Sequence, residues 1–356
     1  MKKLKILEIA RSFYPSVGGL EKFVSDRKII YQQLGFEYSL ITTNYNTGKF
    51  DFSVSHENTK YLPQYTPYNV CPGVFKTIKF DADFLSINQT GNFLSDYALW
   101  YAHNNRIKAV LTPHMYFHTS KNGLLKNIHK RFFSPWLFKI PEKIVCFSEY
   151  EKNFLMENFF VQENKIVVIS HYYKNINEVS CIDENFILYL GRASANKKLD
   201  LLISAYNQIS DPPFKLFLTV NKEGINLTSQ KIVSQNNNIL LLGYVDEIRK
   251  QELLRTASAL ILPSDYEAFG IVLLEASEFG KPLLCSNLKI FQEILNPSGV
   301  LYFENKQKSL FKVLLKFSKT EKSDRQLMGE INKKNLERFV YETILKQYQQ
   351  LFESFY

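Results

Sequence analysis

At 356 residues the chain exceeds one compact core and suits two, at roughly 100–200 residues per domain. Hydrophobic residues at 45% and charged residues at 22% lie near the globular average, which speaks against wholesale disorder. The 44 basic and 35 acidic residues leave a net charge of +9, which points to an anionic partner: nucleic acid, a phosphate-bearing substrate or a membrane surface.

The chain opens as strand, loop and helix. Leu4 to Ile9 reads as a short apolar strand and Pro15 to Gly19 as a turn-rich loop. From Leu20 onward Phe23, Val24, Ile30, Tyr31 and Leu34 follow the 3.6-residue period, and Gly35 stands where a helix C-cap would. A strand at Tyr38 to Thr42 completes a β-α-β unit, hence a parallel sheet with a right-handed crossover. Basic residues precede the first apolar stretch, but Glu8 interrupts that stretch and Arg11 closes it, so it is too short for a signal-peptide core. No window approaches the roughly 20 apolar residues that cross a bilayer. Further strands are predicted at Phe84 to Ile87 and Ala109 to Leu111.

The polar, aperiodic stretch from His171 to Glu184 reads as a linker. Beyond it come a strand at Phe186 to Leu190, a loop at Gly191 to Lys198, a helix at Leu199 to Ile209 and a strand at Phe214 to Val220. Ile239 to Leu242, Ala259 to Leu262 and Pro282 to Cys285 add three more strands with helical patterns between them. Short, fully apolar strands alternating with helices indicate sheets covered on both faces. The predicted class is therefore α/β: two Rossmann-like, doubly wound parallel-sheet domains, 1–172 and 185–340, facing a cleft. Tyr341, Ile344, Leu345, Tyr348, Leu351, Phe352 and Phe355 give the last segment a strongly amphipathic helical pattern. The pattern does not say which lobe it packs on; packing of 341–356 back on the N-terminal domain is the candidate arrangement. Cys71, Cys146, Cys181 and Cys285 are scattered, with no C-x-x-C pair and no zinc spacing, as expected of reduced thiols in a cytosolic protein.

The richest stretch for chemistry runs from Pro263 to Ala276. A strand ends at Leu262, a loop follows, and a helix begins near Gly270, where aligned backbone N–H groups suit a phosphate and glycine admits a ligand close to the chain. Glu267 falls in the loop at the strand's carboxyl end, where open α/β sheets bind ligands. Glu275, one turn into the helix, can accept hydrogen bonds from a pair of sugar hydroxyls. The plain alternative is that both are surface charges favoured near a helix start.

Taken whole, Pro263-Ser264-x-x-Glu267-x-Phe269-Gly270-x-x-x-x-Glu275-Ala276, followed by Gly280-Lys281-Pro282, resembles the signature of the GT-B retaining glycosyltransferases of family 4. Gly191-Arg192 followed by Lys197 resembles that family's Gly-Arg-x-x-x-x-Lys loop, and Gly243-Tyr244-Val245 its Gly-x-Val turn near the nucleotide base. Gly18-Gly19 with Glu21 resembles its N-terminal Gly-Gly loop, and Thr112-Pro113-His114 its segment ending in an active-site histidine. The matches occur in family order from residue 15 to residue 282. Two positions depart from the pattern: Lys198 stands where the family has glycine, and Met115 where relatives often carry an acid.

The resemblance implies a nucleotide diphosphate sugar as co-substrate. Arg192 offers a fixed fork of donors and Lys197 a mobile point charge, and with the N–H groups of Gly270 to Val272 and of Gly19 they would clamp the leaving pyrophosphate. By the same resemblance, Glu267 would contact the transferred sugar, Glu275 the ribose, and Gly243 and Val245 the base. Gly18, Phe269, Ile271 and Val272 would line the donor, and His114 would lie near the anomeric centre, with His118 its rival. Asp81-Ala82-Asp83 matches the metal-holding Asp-x-Asp of the other large glycosyltransferase fold, GT-A, but precedes a strand far in sequence from any phosphate loop; no metal is expected.

Between 121 and 143, Lys121, Lys126, Lys130, Arg131, Lys139 and Lys143 face a single acid, Glu142, and interleave with Leu124, Leu125, Ile128, Phe132, Phe133, Trp136 and Phe138. A basic amphipathic helix with aromatics suits an anionic membrane surface; the plain alternative is a helix whose apolar face packs on the core. Single-stranded nucleic acid would share this character, but no nucleic-acid motif accompanies it. The expected protein is a metal-independent retaining glycosyltransferase acting on a glycan or lipid-linked acceptor, cytoplasmic or peripheral on the inner face of the membrane. The alternatives are a GT-B sugar-nucleotide epimerase and an inactive nucleotide-sugar-binding membrane adaptor.

Overall fold

A computed structural model describes residues 3–16, 18–44, 58–64, 71, 73–77, 81–115, 128–173 and 183–356. Val17, His118, Lys121, Leu124, Leu125, Lys126, Cys181 and most of the linker stretch lie outside the described residues. The chain divides into two compact units, Met1–Ser170 with Ile344–Tyr356, and His171–Thr343.

The first unit is built on a seven-stranded sheet of order β3-β2-β1-β4-β5-β6-β7. The strands are β1 Lys5–Ile9, β2 Glu37–Thr43, β3 Thr59–Leu62, β4 Phe84–Asn88, β5 Lys108–Thr112, β6 Lys143–Cys146 and β7 Ile166–Val168. Every pairing is parallel. All five residues of β4 are buried, as a strand covered on both faces requires. The helix after β1 spans Gly19–Gln33, and Gly35 leaves it at φ 88°, the left-handed turn that only glycine adopts without strain.

The second unit repeats the plan with six parallel strands in the order β10-β9-β8-β11-β12-β13. These are β8 Phe186–Tyr189, β9 Lys215–Leu218, β10 Ile239–Leu241, β11 Ala259–Leu262, β12 Leu283–Ser286 and β13 Val300–Phe303. In both sheets the order reverses beside the first strand, between β1 and β4 and between β8 and β11. Ligands of open α/β sheets bind at the carboxyl ends of strands at such a reversal.

Two expectations change. The helix at Leu199–Tyr206 stops three residues before Ile209. The basic stretch is not one helix: its described part is helical over 128–137, and Lys143 opens β6. The residues of that stretch divide between surface and interior. Leu137 and Phe138 enter the core of the first unit, whereas Phe132 is 70% exposed and Trp136 42% exposed.

The amphipathic terminal helix, Tyr341–Glu353, buries Ile344, Tyr348, Leu351 and Phe352. Phe352 meets Tyr31, Phe36 and Phe84 of the first unit at ring separations of 5.6, 4.7 and 5.4 Å. Burying such a ring is worth about 1.5–3 kcal/mol, so the end of the chain seals this sheet.

Candidate active site

Each unit gathers its sequence-predicted residues at the carboxyl edge of its sheet, beside the strand reversal. In the second unit the loop after β8 carries Gly191, Arg192 and Lys197, and the loop after β11 carries Glu267 to Gly270. A backbone bond from Asp265 N–H to the Asn196 carbonyl, 2.7 Å, ties the two loops together. The Lys197 ammonium donates to Glu267 Oε1 in a close ion pair, and Ser264 Oγ donates to the same oxygen at 2.7 Å. The two residues assigned to phosphate and sugar therefore meet each other. Arg192 is exposed, has no ion pair among the described residues, and is anchored through its carbonyl, which accepts from the Tyr189 hydroxyl at 3.0 Å.

Helix Ile271–Glu278 starts from Gly270, whose φ of 89° is left-handed and whose N-cap position carries no side-chain hydrogen bond. A Cβ there would approach Phe291 Cε1 to 2.8 Å, so both conformation and packing demand glycine. The first N–H groups of Ile271 and Val272 thus face outward from the positive end of the helix dipole. Phe269 differs from its expected role. At 1% exposed, its ring packs on His171 at 4.8 Å and on Phe339 at 5.9 Å, so only its backbone can meet a ligand. Gly243, at φ 69°, follows β10 with Val245 two residues on.

Glu275 is paired with a residue that sequence reading missed. Lys250, on helix Glu247–Thr256, donates to Glu275 Oε1 at 2.8 Å and also meets Glu247 at 2.9 Å. Burial lowers the Lys250 pKa, but Glu275 and Glu247 together outweigh it and the net shift is upward, so the ammonium stays charged. Only Lys250 following Glu247 by three positions was legible as a helical pair.

In the first unit His114 follows β5 at φ 56°, and Met115 continues left-handed at φ 48°. Two consecutive non-glycine residues in this region cost energy, and such strain clusters at functional sites. Glu151 holds the turn: its Oε1 accepts the Met115 N–H at 2.8 Å and its Oε2 the Phe147 N–H at 2.9 Å. Burial raises the Glu151 pKa to about 7, against the pull of these two N–H groups. The His114 ring sits edge-on between Phe23 at 4.9 Å and Phe147 at 5.0 Å, and its Nε2 meets Asn88 Oδ1 at 2.9 Å. Gly18 is the N-cap of helix Gly19–Gln33, in which Glu21 is buried and accepts from Ser12 at 2.7 Å.

Asp81 and Asp83 lie at the opposite, amino edge of the first sheet. Lys5 holds both, its ammonium on Asp81 and its backbone N–H on Asp83 at 2.7 Å. Among the described residues no cluster of three metal-ligating side chains occurs.

Residues 17–172 match the family described as Glycosyltransferase Family 4, and residues 174–335 that described as Glycosyl transferases group 1. An uncharacterised glycosyltransferase of Methanocaldococcus jannaschii is 25% identical, the alignment covering 96% of each chain. The GDP-mannose:cellobiosyl-diphosphopolyprenol alpha-mannosyltransferase of Komagataeibacter xylinus is 23% identical over 82% of this chain and 78% of its own. Among solved structures, sucrose-phosphate synthase of Thermosynechococcus elongatus superposes at TM-score 0.79, with 18% identity and 99% of each chain covered. Anabaena HepE in complex with UDP and glucose superposes at 0.78, with 16% identity, 99% of this chain and 100% of its own covered. With two family matches laid end to end over its two parallel sheets, the chain belongs to the glycosyltransferases of GT-B type.

Proposed function

We propose that this glycosyltransferase moves a sugar from a nucleoside diphosphate donor to a glycan or lipid-linked acceptor, with retention at the anomeric carbon and without a metal ion. The observation that carries the reading is the Lys197–Glu267 ion pair at the carboxyl edge of β8 and β11, in the loop that leads into the uncapped start of helix Ile271–Glu278. In the free protein Glu267 neutralises Lys197. An arriving pyrophosphate, with two negative charges, competes for the ammonium and frees the carboxylate to accept hydrogen bonds from the donor's sugar.

As transfer proceeds, the bond from the anomeric carbon to the phosphate oxygen breaks and the acceptor oxygen bonds to that carbon. The acceptor's proton leaves with the phosphate. Arg192, Lys197 and the N–H groups at Ile271 and Val272 are the positive groups that stabilise the departing charge. Glu275 has a second oxygen beside the one held by Lys250, and this oxygen is the ribose partner in the reading. Asp81 and Asp83, engaged by Lys5 at the far edge of their sheet, take no part.

The relative from K. xylinus is named for a diphosphopolyprenol acceptor, and a further one, 24% identical over 51% of this chain, is the O-antigen chain mannosyltransferase of Salmonella typhimurium. Both support a lipid-linked or surface-glycan acceptor. Exposed Phe132, Phe133 and Trp136 beside Lys130 and Arg131 support docking on the anionic inner face of the membrane. Among the described residues no helix is long and apolar enough to cross a membrane.

Mass spectrometry of the protein with nucleotide sugars and crude lipid acceptors, with and without EDTA, tests the reading. A glycosylated lipid or glycan is expected, in EDTA as well as without it, with the donor's anomeric configuration. Conversion of the sugar nucleotide to an isomer in place of transfer would replace the reading. A magnesium-reversible loss of activity, or an inverted product, would remove the corresponding part. Co-sedimentation with anionic vesicles, weakened by salt and by joint replacement of Lys126, Lys130 and Arg131, is the outcome that supports docking; binding indifferent to both would end it.

A further inference from the structure

Behind His114 the first unit buries a polar network with no role so far. Glu8 of β1, Arg27 of helix Gly19–Gln33 and Asn88, the last residue of β4, are all inaccessible or nearly so. Arg27 Nε donates to Glu8 Oε1 at 2.9 Å, its NH1 to Thr112 Oγ1 at 2.8 Å and its NH2 to Asn88 Oδ1 at 2.8 Å. Asn88 Nδ2 donates to Glu8 Oε1 at 2.9 Å and to the Ile9 carbonyl at 3.0 Å, while the Tyr38 hydroxyl donates to Glu8 Oε2 at 2.8 Å.

These partners leave the Asn88 amide one orientation. A guanidinium only donates, and a carboxylate and a backbone carbonyl only accept. Turning the amide over would set two donors against each other at Arg27 and acceptors against acceptors at Glu8 and Ile9. Oδ1 is therefore the atom that faces His114, and the imidazole nitrogen 2.9 Å from it must carry a proton.

We propose that Asn88, locked by Arg27 and Glu8, is a positioning residue that fixes His114 as the Nε2–H tautomer, so that the neutral ring carries its acceptor lone pair on Nδ1. The edge-on rings of Phe23 and Phe147 fix the plane in which that lone pair lies. In this state His114 accepts a hydrogen at Nδ1 and has no Nδ1 proton to give. The catalytic significance rests on the reading of His114 as an active-site residue; the tautomer itself does not.

The test is the ¹⁵N spectrum of the full chain labelled at histidine, taken at a pH high enough that the ring signals no longer move. The His114 signals are identified by their loss in His114→Gln. A protonated Nε2 and a lone pair on Nδ1 are expected in the wild type. Asn88→Ala should let the Nδ1–H form appear and lower turnover by about 10–100-fold, the cost seen when a metal-bound histidine loses its orienting partner. A wild-type ring protonated on Nδ1 alone would overturn the proposal, even if Asn88→Ala fails to fold. A folded Asn88→Ala with an unchanged tautomer would overturn it too. If the tautomer is as expected but His114→Gln transfers sugar at the wild-type rate, the placement of His114 in the active site fails and the lock stands.

Discussion

Charged groups at the two sheet edges are held in opposite ways. In the first unit Glu8 and Arg27 are almost wholly buried, at 0% and 1% side-chain exposure, and each makes several hydrogen bonds. In the second, Lys197 and Glu267 keep 19% and 14% exposure, and Lys250 and Glu275 keep 17% each. A buried, fully satisfied pair cannot exchange partners without leaving a bare charge in a poorly polarisable interior. A partly exposed pair can, because water and an incoming anion compete for the same cation. The first arrangement fixes a geometry; the second stores positive charge that a phosphate can claim.

The largest effect expected from breaking this contrast is on stability. Arg27→Leu strands the Glu8 carboxylate and should cost about 3–5 kcal/mol in urea denaturation, as removal of one partner of a buried ion pair does. A loss below about 1 kcal/mol would mean that the network does not hold the sheet edge.

Lys197→Ala should behave the other way round. Transfer should fall about 10²–10³-fold, and Arg192→Ala should do the same, while urea midpoints shift little because these groups are not sealed in the core. Wild-type turnover in both variants would remove the clamp.

Glu151 links the two behaviours, since it is fully buried yet titrates. Glu151→Gln puts an amide donor against one of the two N–H groups it now accepts and should cost about 1–3 kcal/mol. Its folded pKa of about 7 lies above the ordinary 4.5, so the native carboxyl holds its proton more tightly than the unfolded chain does. Its contribution to stability is therefore greatest at low pH and is lost as pH rises from about 4.5 through about 7. Denaturation midpoints across that window should slope downward in the wild type and less so in Glu151→Gln; equal slopes would reassign the titration to another group.

The smallest effect concerns the surface of the first unit. With Phe132 70% exposed, Phe132→Asp should change stability by no more than about 0.5 kcal/mol while weakening vesicle binding. Unfolding on this change would restore the alternative that the aromatic face packs on the core.

Local signals in the chain were enough for much of this. Apolar runs located β1, β4, β5, β8, β11 and β12 to within a residue or two, because burial on both faces leaves a continuous apolar string. Gly270 was legible for a similar reason, since a strand-to-helix turn needs glycine at a left-handed position whatever surrounds it. The basic stretch misled because composition reports charge and aromatic content but not where the helix ends. Phe138 and Lys143 carry the same pattern into the core and into β6.

By itself, the sequence determined most of the central strands and the loops that bear chemistry, since these follow from periods of two and 3.6 residues and from turn stereochemistry, but not β3, β6, β7 or β13. Tertiary structure alone decided which charges meet. Asn88 reaches Glu8 across 80 positions and His114 across 26, and Lys197 finds Glu267 across 70. Such pairs exist because the strand order brings distant carboxyl ends side by side. A residue's own pattern encodes whether it is buried, but not which partner will share its burial.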